Sequence, residues 1–470
     1  MGIDVAGSLR RFEGQGGLAV PLAPPAVSRE GFPWNSLMGI GLWALLWAGY
    51  NSNPDALRDP GFPRNNLELI HGVRGFIPIM GGWIAIVVIL IRGGRLLSWI
   101  TGPLGLVLFY GVTGLVASLG VSIEPFDSIY WGGLYVSIAL VLTAIVLVKD
   151  PLADLWRVLN FTWIVGMVLT FALLLEIPLV GDETLNDSYV VSHRILGMAT
   201  ARNTGFARYA AVSALVALAR IWEGKRRARL VWAGILALSI YALAVTNGRT
   251  EILAFIVGAF VVVAARKKRR TAFILVGTAA ALMLGFTEFY RNFFQYITRT
   301  GKIDLSLTGR TVAWAAGWDV FWKSPWCGLG FQADRYYLGG LHIHNAFLHV
   351  FLQGGLLGGG AIIIALLSVW FLTLKHFFLH PPRDKHLIPP EIPGVLLFVT
   401  FSSVTESTFA YYSAAWLLSA PIFVYVVALD RHVRRSRAKA AWEEALRRRV
   451  ARYSFRGGSP GGEFVPRIPV

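Results

Sequence analysis

Apolar runs long enough to cross about 30 Å of hydrocarbon, at about 1.5 Å of helix rise per residue, recur along the whole chain. About twelve are legible, at approximately 34 to 51, 75 to 92, 97 to 118, 128 to 148, 156 to 179, 204 to 222, 229 to 246, 250 to 265, 271 to 288, 345 to 374, 392 to 408 and 412 to 429. Inside lipid every backbone N–H and C=O must find a partner within the protein, so such runs fold as helices. The expected fold is therefore all-α, a polytopic integral membrane protein of about twelve transmembrane helices. Composition agrees, with 55% of the 470 residues hydrophobic and only 15% charged. The net charge of +17 does not point to nucleic acid, because Lys and Arg stand in short clusters between the apolar runs.

Those clusters give the orientation, since Lys and Arg in short loops collect on the cytoplasmic side. Arg92 and Arg95, Lys149 and Arg157, Lys225 to Arg229, Arg266 to Arg270, Lys375 to Lys385 and Arg431 to Arg449 occupy every second connection. Both termini are expected in the cytoplasm. The opposite, extracytoplasmic face receives the acidic segments Glu124 to Asp127 and Asp182 to Asp187 and the longest connection, 289 to 344. The expected organisation is a cytoplasmic tail at 1–33, a transmembrane catalytic domain at 34–430 with its main outer loop at 289–344, and a basic cytoplasmic tail at 431–470. Within the outer loop, residues 309 to 323 read as an amphipathic helix in the membrane interface, with Trp314, Trp318 and Trp322 at i, i+4 and i+8.

Charges at the edge of bilayer helices are costly, so those on the outer face are candidates for function. Arg208 lies one to two turns below the outer end of its helix and either snorkels to water or holds a ligand; Arg202 and Asn203 lie close by. Arg249, in Thr246-Asn247-Gly248-Arg249-Thr250, opens a helix whose free N–H groups attract anions; its alternative is an interfacial arginine beside Glu251. Arg310 begins the Trp-rich segment. Guanidinium forks bind phosphate oxygens bidentately and stay charged, so three of them suit a diphosphate. His344, where the outer loop meets the tenth span, is placed to act as a general base, with a structural hydrogen-bonding role as the alternative. His349, one turn deeper, reads as packed. Glu406 either orients the histidine or pairs with an arginine.

No metal site is expected. Cys327 is the single cysteine, and a His342/His344 pair at i, i+2 has no third histidine or carboxylate obvious nearby. Neither a Walker loop nor a strand-borne Gly-x-Gly-x-x-Gly is present, so ATP and NAD are not expected and no cofactor is assigned. Arginines, a base and aromatic side chains together point to group transfer from a pyrophosphate-activated, membrane-borne donor.

Over roughly residues 200 to 410 the chain resembles the O-antigen ligase and polymerase superfamily. His344-Asn345, then nine residues, then Gly355-Leu356-Leu357-Gly358 is similar to the His-(Asn/Ser/Gln)-x9-Gly-x-x-Gly pattern of O-antigen ligases. Thr246 to Thr250 looks like the family's arginine turn, with Gly-Arg where Ser-Arg is usual. Gly309-Arg310 with Trp314, followed by Pro325-Trp326-Cys327-Gly328-Leu329-Gly330, resembles the family's next segment in order and spacing.

The resemblance implies a GT-C-like, metal-independent, inverting glycosyltransferase in a bacterial inner membrane, working on the periplasmic face in lipopolysaccharide biosynthesis. The donor would be an undecaprenyl-pyrophosphate-linked glycan and the acceptor a hydroxyl of the lipid A core oligosaccharide. Arg249, Arg310 and Arg208, with Arg202, would hold the pyrophosphate. His344 would activate the acceptor, supported by Asn345, Glu406, His342 and Trp314. A polymerase or a protein O-oligosaccharyltransferase would use the same donor. A transporter would show repeat symmetry or mid-membrane charges, and neither is seen.

Overall fold

A computed structural model describes residues 34–50, 66–93, 96–148, 150–180, 189–192, 199–222, 226–246, 248–266, 310–382 and 387–456. The expected N-terminal tail, the expected span at 271–288, the loop at 289–309 and residues 457–470 lie outside the described residues.

Eleven of the twelve expected spans are helical among the described residues. The helices are α1 (Trp34–Ala48), α2 (Asn66–Val73), α3 (Ile77–Arg92), α4 (Leu96–Ile100), α5 (Pro103–Gly120), α6 (Pro125–Val146) and α7 (Pro151–Val180). They continue as α8 (Asn203–Arg220), α9 (Arg226–Val245), α10 (Arg249–Ala265), α11 (Arg310–Phe321), α12 (Ala333–Tyr337), α13 (Ala346–Thr373), α14 (Glu391–Ser402) and α15 (Ala414–Arg456). A short antiparallel ribbon, β1 (Tyr189–Ser192) paired with β2 (Ala199–Arg202), precedes α8. Seven of the described helical stretches are both long and apolar enough to cross a membrane, and α1 and α14 are shorter apolar helices. The α8 helix is held below that hydropathy by Asn203, Arg208 and Arg220. The protein is a multi-pass, helical membrane protein. The apolar part of α15 lies at its centre, 94% buried, whereas that of α9 is 17% buried and faces outward.

Three expected spans are corrected by backbone chemistry. Residues 97 to 118 are not one helix: the chain breaks at Gly102 and restarts with Pro103 at the first turn, where a missing N–H costs nothing. The run 392 to 408 stops being helical at Ser402, and Ser403 to Ser413 fold back as a loop. The expected single span 345 to 374 is interrupted at Gly355, which has φ 62° and ψ −164°. That region of backbone space is essentially open to glycine alone.

The break in α13 frees backbone groups that the loop Pro325 to Gly330 satisfies. Leu329 and Gly330 donate to the carbonyls of Leu352 and Gln353 at 2.8 and 3.1 Å, while Leu356 and Leu357 donate to those of Pro325 and Trp326 at 2.7 and 3.1 Å. Non-helical backbone at membrane depth is stable only when protein groups replace the lost bonds in this way. Close approach fixes the other side of the site. A Cβ on Gly258 of α10 would lie 2.9 Å from the carbonyl oxygen of Gly394 in α14, so these two helices cross with backbones nearly touching.

Candidate functional site

The loop after α14 caps α13 and thereby places His344. The Ala346 N–H, an orphan donor of the first turn, donates to the carbonyls of Ser403 and Glu406 at 2.9 and 3.1 Å. Asn345 is the N-cap: its Oδ1 accepts the Leu348 N–H at 2.9 Å, and its Nδ2 donates to Val404 O at 3.0 Å. On the preceding side, Trp314 Nε1 of α11 donates to Ile343 O at 2.7 Å. His344, between these two anchored residues, adopts φ 48°. For a residue with a Cβ this left-handed conformation costs about 1–2 kcal/mol, and it is maintained here by the hydrogen bonds on either side.

Glu406 is the hub of the site. Its Oε2 accepts from Arg208 Nη2 at 2.9 Å and faces His344 Nδ1 at 3.2 Å, and its Oε1 accepts from Arg310 Nη2 at 3.1 Å. Arg208 Nε lies a further 3.5 Å from Glu251 Oε1 in the first turn of α10. Burial alone would favour the neutral acid at Glu406, but the hydrogen bond to His344 and the charges of Arg208 and Arg310 outweigh it and hold the carboxyl below the usual range. An ionised carboxylate only accepts hydrogen bonds, so His344 donates through Nδ1–H, and in the neutral form of the ring the lone pair is then on Nε2. The His344 side chain is 33% exposed and that of Arg310 25%, against 9% for Arg208. His344 and Arg310 therefore form the accessible part of the cluster, while Arg208 is a buried brace between Glu406 and Glu251.

Arg249 is half-buried at the first position of α10, beside Thr250, whose Oγ1 accepts from Thr405 Oγ1 of the capping loop at 3.2 Å. The α10 N-terminus is thus tied to the loop that carries Glu406. Arg202 closes β2, paired across the ribbon with Tyr189, and its side chain lies outside the described residues, as does that of Asn203. Trp318 and Trp322 on and after α11 are 49% and 61% exposed, unlike Trp314, which turns inward to the His344 loop.

Behind His344 lies a second group that the sequence reading missed. Asp334 of α12, fully buried, accepts from His342 Nδ1 at 2.6 Å and from the Ile343 N–H at 3.2 Å through Oδ2, and its Oδ1 faces His349 Nε2 at 3.0 Å. Burial would raise its pKa, but the two imidazoles outweigh this and hold the carboxyl well below its ordinary value. Burial lowers the pKa of His342 to about 4, against the opposing pull of Asp334. These residues correct the expectation that His342 has no carboxylate or further histidine nearby. Ligand-type atoms of Asp334, His342 and His349 lie within 4.8 Å of one another. The 2.6 Å contact between Asp334 and His342 is nevertheless a hydrogen-bond length. Ligands around a tetrahedral ion with bonds of 2.0–2.1 Å stand roughly 3.3 Å apart. No local spacing announced Asp334, because its partners arrive from the far side of a turn and from a later helix.

Residues 234–363 match the family model described as O-Antigen ligase. A curated relative, the exopolysaccharide production protein ExoQ of Rhizobium meliloti (strain 1021), is 30% identical over 131 residues, covering 24% of this chain. The chain matches 30% of that relative's length. The family match takes in Arg249, Arg310, Trp314, Asp334, His342, His344, Gly355 and Gly358, whereas Arg208 and Glu406 lie outside it. The motif residues, the helical membrane fold and this match all point the same way: over residues 234–363 the chain is similar to the O-antigen ligase family.

Proposed function

We propose that this chain transfers a glycan from an undecaprenyl-pyrophosphate donor to a hydroxyl of the lipid A core oligosaccharide, on the periplasmic face of the inner membrane. The observation that carries the reading is the shared carboxylate: Glu406 orients His344 through one oxygen and Arg310 through the other. A base and an anion holder are thereby fixed relative to each other, which is the positioning an in-line displacement requires. His344 Nε2 takes the proton of the acceptor hydroxyl as its oxygen attacks the anomeric carbon. The bond from that carbon to the phosphate oxygen breaks, with inversion, and undecaprenyl pyrophosphate leaves. Arg310, Arg249 and the N-terminus of α10 stabilise the charge that develops on the leaving group. In this reading guanidinium groups do the work for which other transferases employ a divalent ion, and no nucleotide or metal is required. The positive clusters on alternate connections support both termini being cytoplasmic and the His344 end facing outward.

Arg208 enters the reading differently from its sequence-based role. With Glu406 hydrogen-bonded to it and Glu251 3.5 Å away, its guanidinium is already engaged, so it serves the pyrophosphate site by holding Glu406 in place. A second reading, in which the acceptor is another lipid-linked glycan, draws support from the relative's part in exopolysaccharide production.

Purified protein incubated with lipid-pyrophosphate-linked glycan, without ATP and with chelator, tests both readings. Glycan on lipid A core supports the ligase, a lengthened lipid-linked glycan supports the second reading, and no product with either acceptor overturns both. Arg310→Ala is expected to lower transfer by about 10²-fold or more, the scale seen when a stabilising donor is removed from a developing anion. Membrane insertion of that variant should be normal, and wild-type transfer by it would remove the clamp. His344→Ala is expected to retain donor binding while losing about 10²–10⁴-fold in turnover, the usual contribution of a general base.

A further inference from the structure

We propose that Asp334 is a positioning residue for His344, acting through His342 and the Ile343 amide; this rests on the base role of His344 given above. A fully buried carboxylate is costly, and an apolar residue would fill the same space at lower cost, yet both hydrogen bonds of Asp334 are made by one oxygen, Oδ2. Its hydrogen bonds to His342 and Ile343 converge on the two residues immediately before His344. The imidazole of His342, so fixed, stands edge-on to that of His344, with ring centroids 4.5 Å apart and planes at 77°. The Ile343 peptide is gripped from both sides, its N–H by Asp334 and its carbonyl by Trp314. The backbone of His344 is thus turned left-handed and its ring held toward Glu406 by a carboxylate that is itself fully buried. His349 Nε2, which is hydrogen-bonded to Gln353 at 2.7 Å, stands 3.0 Å from the other oxygen, so Asp334 packs against the first turns of α13 as well as against the loop. Being uncharged at neutral pH, His342 also places no positive charge beside His344 when the latter accepts its proton.

The test uses the full chain in detergent micelles or liposomes. Asp334→Asn keeps the volume and removes the charge. It is expected to lower transfer by about 10-fold or more while donor binding stays within about two-fold, the pattern of an interaction needed for turnover and not for ground-state binding. In a His344→Ala background, whose residual transfer is read with excess enzyme, the same change should cost less than about two-fold, because coupled residues are non-additive. Equal losses in both backgrounds would mean a merely structural role and overturn the proposal.

Independently of turnover, the rate at which diethylpyrocarbonate modifies His344 is followed by peptide mass spectrometry, with exposed His380 as internal standard. The variant should change the His344 rate by about three-fold or more and leave His380 unaltered, since reactivity follows the exposure and orientation of the ring nitrogen. An unchanged His344 rate overturns the proposal. If Asp334→Asn does not fold, His342→Ala removes only the intermediate ring and should reproduce the same loss and the same non-additivity; full transfer by it also overturns the proposal. A wild-type chain that transfers nothing counts against the glycan-transfer reading, whereas a variant that matches an active wild type counts against Asp334 alone.

Discussion

Glu406→Gln is expected to lower glycan transfer by about 10²-fold or more without weakening donor binding. The substitution is nearly isosteric, so its effect comes from one charge. His344 loses the acceptor that fixes its Nδ1 proton, and Arg208 and Arg310 lose the carboxylate both lean on. Arg310, no longer held back by Glu406, binds the donor at least as well as before, while the base is free to take the wrong tautomer. Turnover and affinity therefore separate. The carboxyl of Glu406 is ionised well below neutral pH, so the comparison holds across the range in which transfer is measured. Glu406→Ala should be worse for folding, since leaving a buried guanidinium without its partner costs about 3–5 kcal/mol, although Glu251 retains part of Arg208's compensation. Transfer rates and donor titrations of Glu406→Gln decide the matter; wild-type turnover would show that the carboxylate serves packing alone.

Gly355→Ala is expected to abolish the well-folded protein. A Cβ there would sit 2.2 Å from the Trp326 carbonyl oxygen and 2.5 Å from the Cys327 nitrogen, both backbone atoms that no rotamer change can move aside. To the steric conflict is added about 1–3 kcal/mol for a backbone conformation closed to alanine. Relief requires the Pro325 to Gly330 loop to withdraw, which breaks its four backbone bonds to α13. Gly360, one and a half turns further along the same helix, supplies the control, because a Cβ there meets nothing within 4 Å. Gly360→Ala should be neutral or stabilise by up to about 1 kcal/mol, as expected for alanine in a helix interior. Size-exclusion profiles and thermal midpoints in detergent compare the pair; equal behaviour of the two variants would mean that the break in α13 is not required.

Much of the bundle was legible because lipid imposes a simple rule: an apolar run of sufficient length must be a helix. The rule fails where function needs irregular backbone. The run 392 to 408 is apolar enough to be read as one span, yet its last residues leave the helix to carry Glu406 and to cap α13. Gly355 was visible within its motif, but its bend was not, since glycines are common in membrane helices and only the opposing loop reveals which one breaks the chain. Among site residues, His344, Arg249 and Arg310 stand in local patterns and could be named. Glu406 was legible as a partner of the histidine or of an arginine, and it is both, but Arg208 could not be picked out as that arginine, because Glu406 follows it by 198 residues and no periodicity links them. Asp334 was invisible for the same reason: its meaning lies in His342 and His349, brought to it by the turn and by α13.

The α8 helix is braced at its two ends. Arg208 near its start grips Glu406 just beyond the end of α14, and Arg220 at its last position reaches Glu391 at the start of α14 at 3.2 Å, as well as Asn160. Two rungs about 18 Å apart, at 1.5 Å per residue, make the antiparallel pair a strut. Sliding one helix past the other by a turn of about 5.4 Å would break both ion pairs together, at a cost that buried ion pairs make large. If the donor is the long-chain lipid proposed above, its entry and exit are expected to use movements of other elements, with this strut as the fixed frame.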